Sequence, residues 1–292
     1  MDKFKTTSCL SFLVLLILLA PSARADSLGP DLSTFATLGG AGVAINGTGS
    51  VIDGSVGGCC NATAVTGVIP TNFTISGGTV QMGGAIATLA QGELGTAITT
   101  LSGLGPGTPD PLLGGLTLGP GVYSSSSTMG LTGTLNLNGG GNANAQWVFI
   151  VGSSLTTASG SVVNVFNTGP GASVYWVIGA GSATLGADST FAGNILANES
   201  ITLGTNVNDP CGRLLTQVAS VTLAGDDNIG IGCSGVLAGS NGLNGGGTTT
   251  GGGTGGGPSP VPEPGTLLLL STGIVGLVSK ARMRRRTAAV EG

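Results

Sequence analysis

Three short stretches decide the fold: SATLG at 182–186, SITLG at 200–204 and SVTLA at 220–224. Each is a serine, an apolar residue, a threonine, a leucine and a small residue. Their threonines, Thr184, Thr202 and Thr222, lie 18 and 20 residues apart. A looser copy, SLTTA at 154–158, sets Thr156 one step earlier, and LTGTL at 131–135 carries Thr132 and Thr134. A repeat near twenty residues, read as strand, turn and strand, is the signature of a β-solenoid. It suits one coil of about three short strands at roughly 3.3 Å per residue. Within SITLG, Ile201 and Leu203 point one way and Thr202 the other. Inward Ile and Leu would stack into a core. Outward Thr156, Thr184, Thr202 and Thr222 would stack into a ladder at about 4.8 Å per step.

Composition agrees. The chain has 292 residues, of which 57 are glycine, with no G-X-Y period, so the glycines read as corners rather than collagen. Hydrophobic residues reach 40%, enough to bury a core, although only 8% of residues are charged. There is no histidine, which removes Ser-His-Asp and Cys-His nucleophiles and His-ligated metals. Between Asp26 and Pro262 the only basic residue is Arg213, set against ten acidic ones. Such a surface has no cations for phosphate, so no nucleic-acid partner is expected. No cofactor or metal is expected either, and the chain reads as non-enzymatic. The Asp226-Asp227 pair reads as a solvated corner rather than a calcium site.

The ends carry addresses. Residues 1–25 read as a signal peptide: Lys3 and Lys5, the apolar run LSFLVLLILLA from Leu10, and the A-x-A site Ala23-Arg24-Ala25. Residues 26–238 read as one solenoid domain and 239–260 as a Gly/Thr-rich linker. The last part, 261–292, has Pro262-Glu263-Pro264, an apolar segment over 265–279 and a basic tail over 280–286. This order resembles the PEP-CTERM tail of exported Gram-negative proteins. The resemblance implies processing by a membrane exosortase and a secreted or cell-surface location.

Cys59, Cys60, Cys211 and Cys233 remain after signal cleavage, an even count that suggests disulfides in an exported chain. Three connectivities are open. One joins Cys211 to Cys233 and leaves a vicinal Cys59–Cys60 bridge. The others tie Cys59 and Cys60 to Cys211 and Cys233, which requires early and late segments to meet, and these are preferred.

Residues 83–103 change period. Ile86, Leu89, Ala90, Leu94, Ile98 and Leu101 recur at helical steps, so this stretch reads as one helix docked by an apolar stripe along the solenoid. QWVFIVG at 146–152 and SVYWVIG at 173–179 read as a core strand pair.

The full order is specific: the early coils, the helix, GGLTLGPGVY at 114–123, LTGTLNLNG at 131–139, VFIVGSSLTTASGS at 148–161 and VYWVIGAGSATLGADSTFAGNILANESITLG at 174–204. It resembles the bacterial and fungal ice-binding proteins over about residues 28–233. The resemblance implies a mainly β, right-handed discontinuous β-solenoid with one long α-helix alongside. In that family the N-terminal segment stacks on coils distant in sequence, which would bring Cys59 and Cys60 towards later coils. The family often has a cysteine before the V-Y-W strand, where this chain has Ala172 and Ser173.

The resemblance also implies a monomer that adsorbs to ice through a flat face of Thr, Ser, Ala, Gly and Asn. Family Thr-Ala/Gly-x-Thr/Asn strands match imperfectly at Thr157 to Gly160, Gly186 to Ser189, Thr205 to Asn208 and Gly225 to Asn228. The expected ice-binding residues are Thr132, Thr134, Thr156, Thr157, Ser159, Ser161, Thr184, Ser189, Thr202, Thr205, Asn208, Thr222 and Asn228. Asp188, Asp226 and Asp227 would place negative charge beside them. The alternative is a matrix or surface adhesion protein that binds extracellular polysaccharide on the same scaffold.

Overall fold

Glycine corners and short β-branched runs make strands of two to six residues, too short to stand alone and stable only when stacked in parallel. The computed structural model describes residues 28–59, 64–67, 73–169 and 171–230. The chain divides into two units, Met1–Thr249 and Thr250–Gly292, and all described residues fall in the first. Among the described residues every strand pairing is parallel. The architecture is mainly β with one long helix, and the strands fall on three faces.

Face A is a nine-stranded sheet. From one end its strands are Thr108–Pro109, Gly121–Ser125, Gln146–Val151, Ser173–Ile178, Asn194–Ala197, Arg213–Thr216, Phe35–Gly39, Ser55–Gly58 and Val80–Met82. Face B holds Met129–Leu131, Leu155–Thr157, Ala183–Leu185, Ile201–Leu203, Ser220–Leu223, Gly42–Ile45 and Val65–Thr66. Face C is built from a three-stranded and a four-stranded sheet, linked through Thr190, which bridges to Val162 and to Asn208.

The stacking order breaks the sequence order at one joint. The coil over 213–230 is followed by residues 35–53: Leu214 pairs with Thr37, Thr222 with Ala44, and Asn228 with Val51. Early and late segments therefore meet, as expected. Cys59 is buried and Cys211 packs half-buried against the core. Cys60 and Cys233, and with them the pairing of the four, lie outside the described residues, as do the signal peptide, linker and sorting segments.

The helix, Ala85–Ser102, joins the last strand of the stack at Val80–Met82 to the first at Thr108–Pro109. Its 18 residues span about 27 Å at 1.5 Å per residue. The helix sits where expected, but its buried side differs from the apolar count. The buried positions are Ala87, Ala90, Gln91, Leu94, Ala97 and Leu101, whereas Ile86 and Leu89 are 46% and 56% exposed. Alanine lets the helix axis approach a flat sheet closely, and larger side chains are pushed to the flanks. Gln91 Nε2 donates to the Thr216 carbonyl at 3.0 Å, and Glu93 accepts from the Leu32 N–H at 2.7 Å. The helix is thus fastened to coils on both sides of the joint.

Face A is covered on both sides, which explains its continuous apolar strands. Val148, Tyr175, Val177, Leu196 and Leu215 form a layer with the helix. The alternate positions Trp147, Phe149, Val174, Trp176, Ile195 and Leu214 fill the interior. Tyr123, Phe149, Trp176 and Phe191 follow one another across the coils with ring centroids 5.5, 4.0 and 4.9 Å apart. The strand pair Gln146–Val151 and Ser173–Ile178 is in register over all six residues, as the sequence predicts.

Candidate functional site

Face B carries the repeat. In every copy the apolar neighbours turn inward and bury, for example Ile201 and Leu203, which leaves the central residue outside. The register then places Gly130, Thr156, Thr184, Thr202, Thr222, Ala44 and Thr66 in one file across seven strands. Thr156, Thr184, Thr202 and Thr66 are exposed and Thr222 half-exposed. Successive members stand about 4.8 Å apart, the spacing of paired strands.

Two further files flank it. The serine that opens each repeat lies two residues before the threonine, on the same side of the strand. Ser154, Ser182, Ser200 and Ser220 are all half-exposed. Ser200 Oγ donates to Ser182 Oγ at 2.9 Å, so these hydroxyls are held in line. On the other flank, two residues after the threonine, come Ala158, Gly186, Gly204 and Ala224. At Gly204 a Cβ would sit 2.6 Å from the Ala187 backbone nitrogen, so the tight stacking of coils at this edge requires glycine there. The three files make a face of hydroxyls, methyls and bare backbone with no charged residue. The serine file was missed among the expected site residues, although its signal stood in the first letter of each repeat.

The structure separates the other expected residues. Thr157, Ser161 and Ser189 are buried and are not part of the surface. Thr157 takes the inward register position of Leu131, and its Oγ1 accepts from the Gly186 N–H at 2.9 Å. Ser161 Oγ donates to the Leu131 carbonyl at 3.0 Å, and Ser189 Oγ to the Gly186 carbonyl at 2.6 Å. They satisfy backbone carbonyls and N–H groups inside the corner between faces B and C. Thr132 is exposed where face B ends at Leu131. Ser159 and Thr205 are exposed on the corner itself. Thr134, Asn208 and Asn228 belong to face C, where Asn228 Nδ2 donates to Asn208 Oδ1 at 2.8 Å.

That corner has its own logic. Asp188, Asn206 and Asp226 adopt left-handed backbone with φ of 57°, 62° and 54°. Asn and Asp tolerate this conformation better than other residues with a Cβ. Asn206 Nδ2 donates to Asp188 Oδ1 at 2.9 Å, linking two coils. Asp188 and Asp226 are exposed, so their charge does border face B. Asp227 does not: it is 1% exposed, which corrects its reading as part of a solvated corner. Its carboxylate accepts from the Val207 N–H at 2.9 Å and the Gly225 N–H at 3.1 Å, tying two coils together. Among the described residues no group of acidic or cysteine side chains is arranged to hold a metal ion.

Burial pushes the Asp227 carboxyl above its ordinary 3.8, against the pull of its backbone N–H donors and with a further push from Asp226. A raised folded pKa means that the native state keeps this proton longer than the unfolded chain does. The resulting stabilisation is complete below 3.8 and is lost as pH rises through the raised value. The Tm difference between the parent and Asp227→Asn is therefore expected to be most in the parent's favour below pH 3.8 and to shrink above it. Calorimetry of both proteins over the acid range checks this.

Arg213, the one cation of the central chain, is fully buried. Its Nη1 donates to Asn194 Oδ1 at 3.1 Å and its Nη2 to the Ser33 carbonyl at 2.8 Å.

Over 206 residues the chain is 45% identical to an ice-binding protein of Nostoc sp. (strain HG1), covering 70% of this chain and 74% of that one. The crystal structure of an ice-binding protein from the Antarctic ascomycete Antarctomyces psychrotrophicus superposes with a TM-score of 0.61 at 30% identity, covering 70% of this chain and 98% of that one. That of an ice-binding protein from an Antarctic biological consortium gives 0.63 at 28% identity, covering 73% and 94%. The model of the PEP-CTERM protein-sorting motif matches residues 260–286. The ice-binding-like family model matches residues 37–228, from the strand Phe35–Gly39 to the start of the strand Asn228–Gly230, and the chain belongs to that family.

Proposed function

We propose that this is an exported, non-enzymatic ice-binding protein that adsorbs to ice through face B and inhibits ice growth and recrystallisation. The observation that carries this reading is the file Thr156–Thr184–Thr202–Thr222, held straight by strand register and flanked by files of serine and of Ala or Gly. Ice offers no charge to pair with and no group to fill a pocket. It offers a lattice of water. A rigid face with repeats of about 4.8 Å between coils and about 6.6 Å between alternate residues of a strand can order a water layer that joins that lattice. The threonine methyl restricts water and its hydroxyl anchors it. Long charged side chains would blur both, and face B has none.

In this reading the contact residues are Thr132, Thr156, Thr184, Thr202, Thr222 and Thr66, with Ser154, Ser182, Ser200 and Ser220 beside them. Ser159 and Thr205 border the face at the corner, and Thr134, Asn208 and Asn228 lie on the next one. The solenoid winds right-handed, the ordinary hand for parallel crossovers. The protein acts as a monomer. Residues 1–25 are removed on export, and an exosortase processes the tail near Pro262-Glu263-Pro264, leaving the protein outside a Gram-negative cell.

Thermal hysteresis and ice recrystallisation assays on residues 26–238 test the function. Faceted crystals, a measurable freezing gap and small grains after annealing are expected. Growth indistinguishable from buffer with a folded protein would sink the reading.

A further inference from the structure

On the outer side of face A, away from the threonine file, lies a cleft of about 460 Å³. This falls in the range of about 300–1,000 Å³ typical of small-ligand sites. Its floor is Val122 and Val148, register partners whose side chains continue the apolar layer under the helix. Pro120 and Gly121 form one wall. The other is the loop that carries Asn142 and Asn144, with Gln146 at the start of the strand that follows. None of the lining residues is charged.

The loop is held in shape from within. Asn142 Oδ1 accepts from the Asn144 N–H at 3.0 Å, and the Asn142 carbonyl accepts from Thr168 Oγ1 at 2.6 Å. Gln146 lies on the same side of its strand as Val148, two residues on, so its amide stands beside the apolar floor. The side-chain amides of Asn144 and Gln146 make no hydrogen bond among the described residues and remain available to a ligand. Each such amide presents a donor and an acceptor together.

A cluster of uncharged donor–acceptor groups over an apolar floor suits a ligand with paired hydroxyls on one edge and C–H groups on its face. That is the chemistry of a neutral sugar ring. Anionic sugars would find no cation here, since the only basic residue of the described chain, Arg213, is buried.

We propose that this cleft binds a neutral polysaccharide, so that the protein is held in extracellular matrix by face A while face B stays free. The proposal stands apart from the ice reading, because the two surfaces share no residue. The test is affinity electrophoresis of the secreted chain in gels containing dextran or a mixed-linkage β-glucan, with alginate as the anionic control. Retardation by at least one neutral polymer and none by alginate is expected. In Asn144→Ala/Gln146→Ala the apparent affinity should fall at least about tenfold, the loss expected from two hydrogen bonds. Recrystallisation inhibition and Tm should stay at the parent's values. No retardation by either neutral polymer overturns the proposal. So does equal retardation by alginate, or undiminished retardation of the double variant.

Discussion

Thr184→Tyr/Thr202→Tyr is expected to lower thermal hysteresis at least about tenfold while shifting Tm by no more than about 2 °C. The two residues are register partners in the middle of the file, and both side chains leave the sheet towards solvent. A ring at each position stands well above the threonine methyls and holds the crystal off its neighbours on both sides. The fold has little to lose. Tyrosine is a good strand former, and a cross-strand aromatic pair contributes roughly 0.2–1 kcal/mol. Thr190→Tyr, an exposed change on face C, is the matched control, and its hysteresis should equal the parent's. Nanolitre osmometry with calorimetry of the same samples reads both quantities.

Arg213→Met is expected to do the opposite. Its guanidinium holds Asn194 on the preceding coil and the Ser33 carbonyl, which leads into the first coil on the far side of the joint. Methionine fills much of the space but leaves a buried amide oxygen and a half-buried carbonyl without their donor. An acceptor left without its donor in such a site costs about 1–3 kcal/mol, so the two together cost roughly 2–6 kcal/mol. For a domain of this size that lowers Tm by roughly 10 °C. Arg213→Lys should recover only part of the loss, because one ammonium cannot reproduce a fork spread over two acceptors. Hysteresis near 0 °C should survive in Arg213→Met, since the file stands on another face and the protein is still folded there. A thermal melt within 2 °C of the parent's would show that the joint is held by other contacts.

The two variants separate what the sequence made legible from what it hid. The threonine file was readable because SATLG, SITLG and SVTLA place an outward residue between two inward ones at each step, and parallel register preserves the spacing. The helix was readable from its change of period. Its docking side was not, because Ile86 and Leu89 look like core residues while alanine and Gln91 provide the close approach. Thr157, Ser161 and Ser189, expected at the surface, are buried. Thr157 stands next to the outward Thr156, so alternation alone turns it inward, while Ser161 and Ser189 bury in the corner, where their hydroxyls satisfy backbone carbonyls. The joint at Arg213 could not be read from spacing at all. It pairs strands about 180 residues apart, and only the preferred cysteine pairing and the family resemblance pointed to it.

The central claim is that face B, rather than face C or the corner, meets ice. Partition into a slowly growing polycrystalline ice shell measures adsorption directly. With parent, Thr184→Tyr/Thr202→Tyr and Thr190→Tyr compared at equal concentration, the account predicts enrichment of the parent and of Thr190→Tyr in the ice fraction and exclusion of the face B variant into the liquid. Enrichment of the face B variant equal to the parent's, or exclusion of Thr190→Tyr alone, would contradict it.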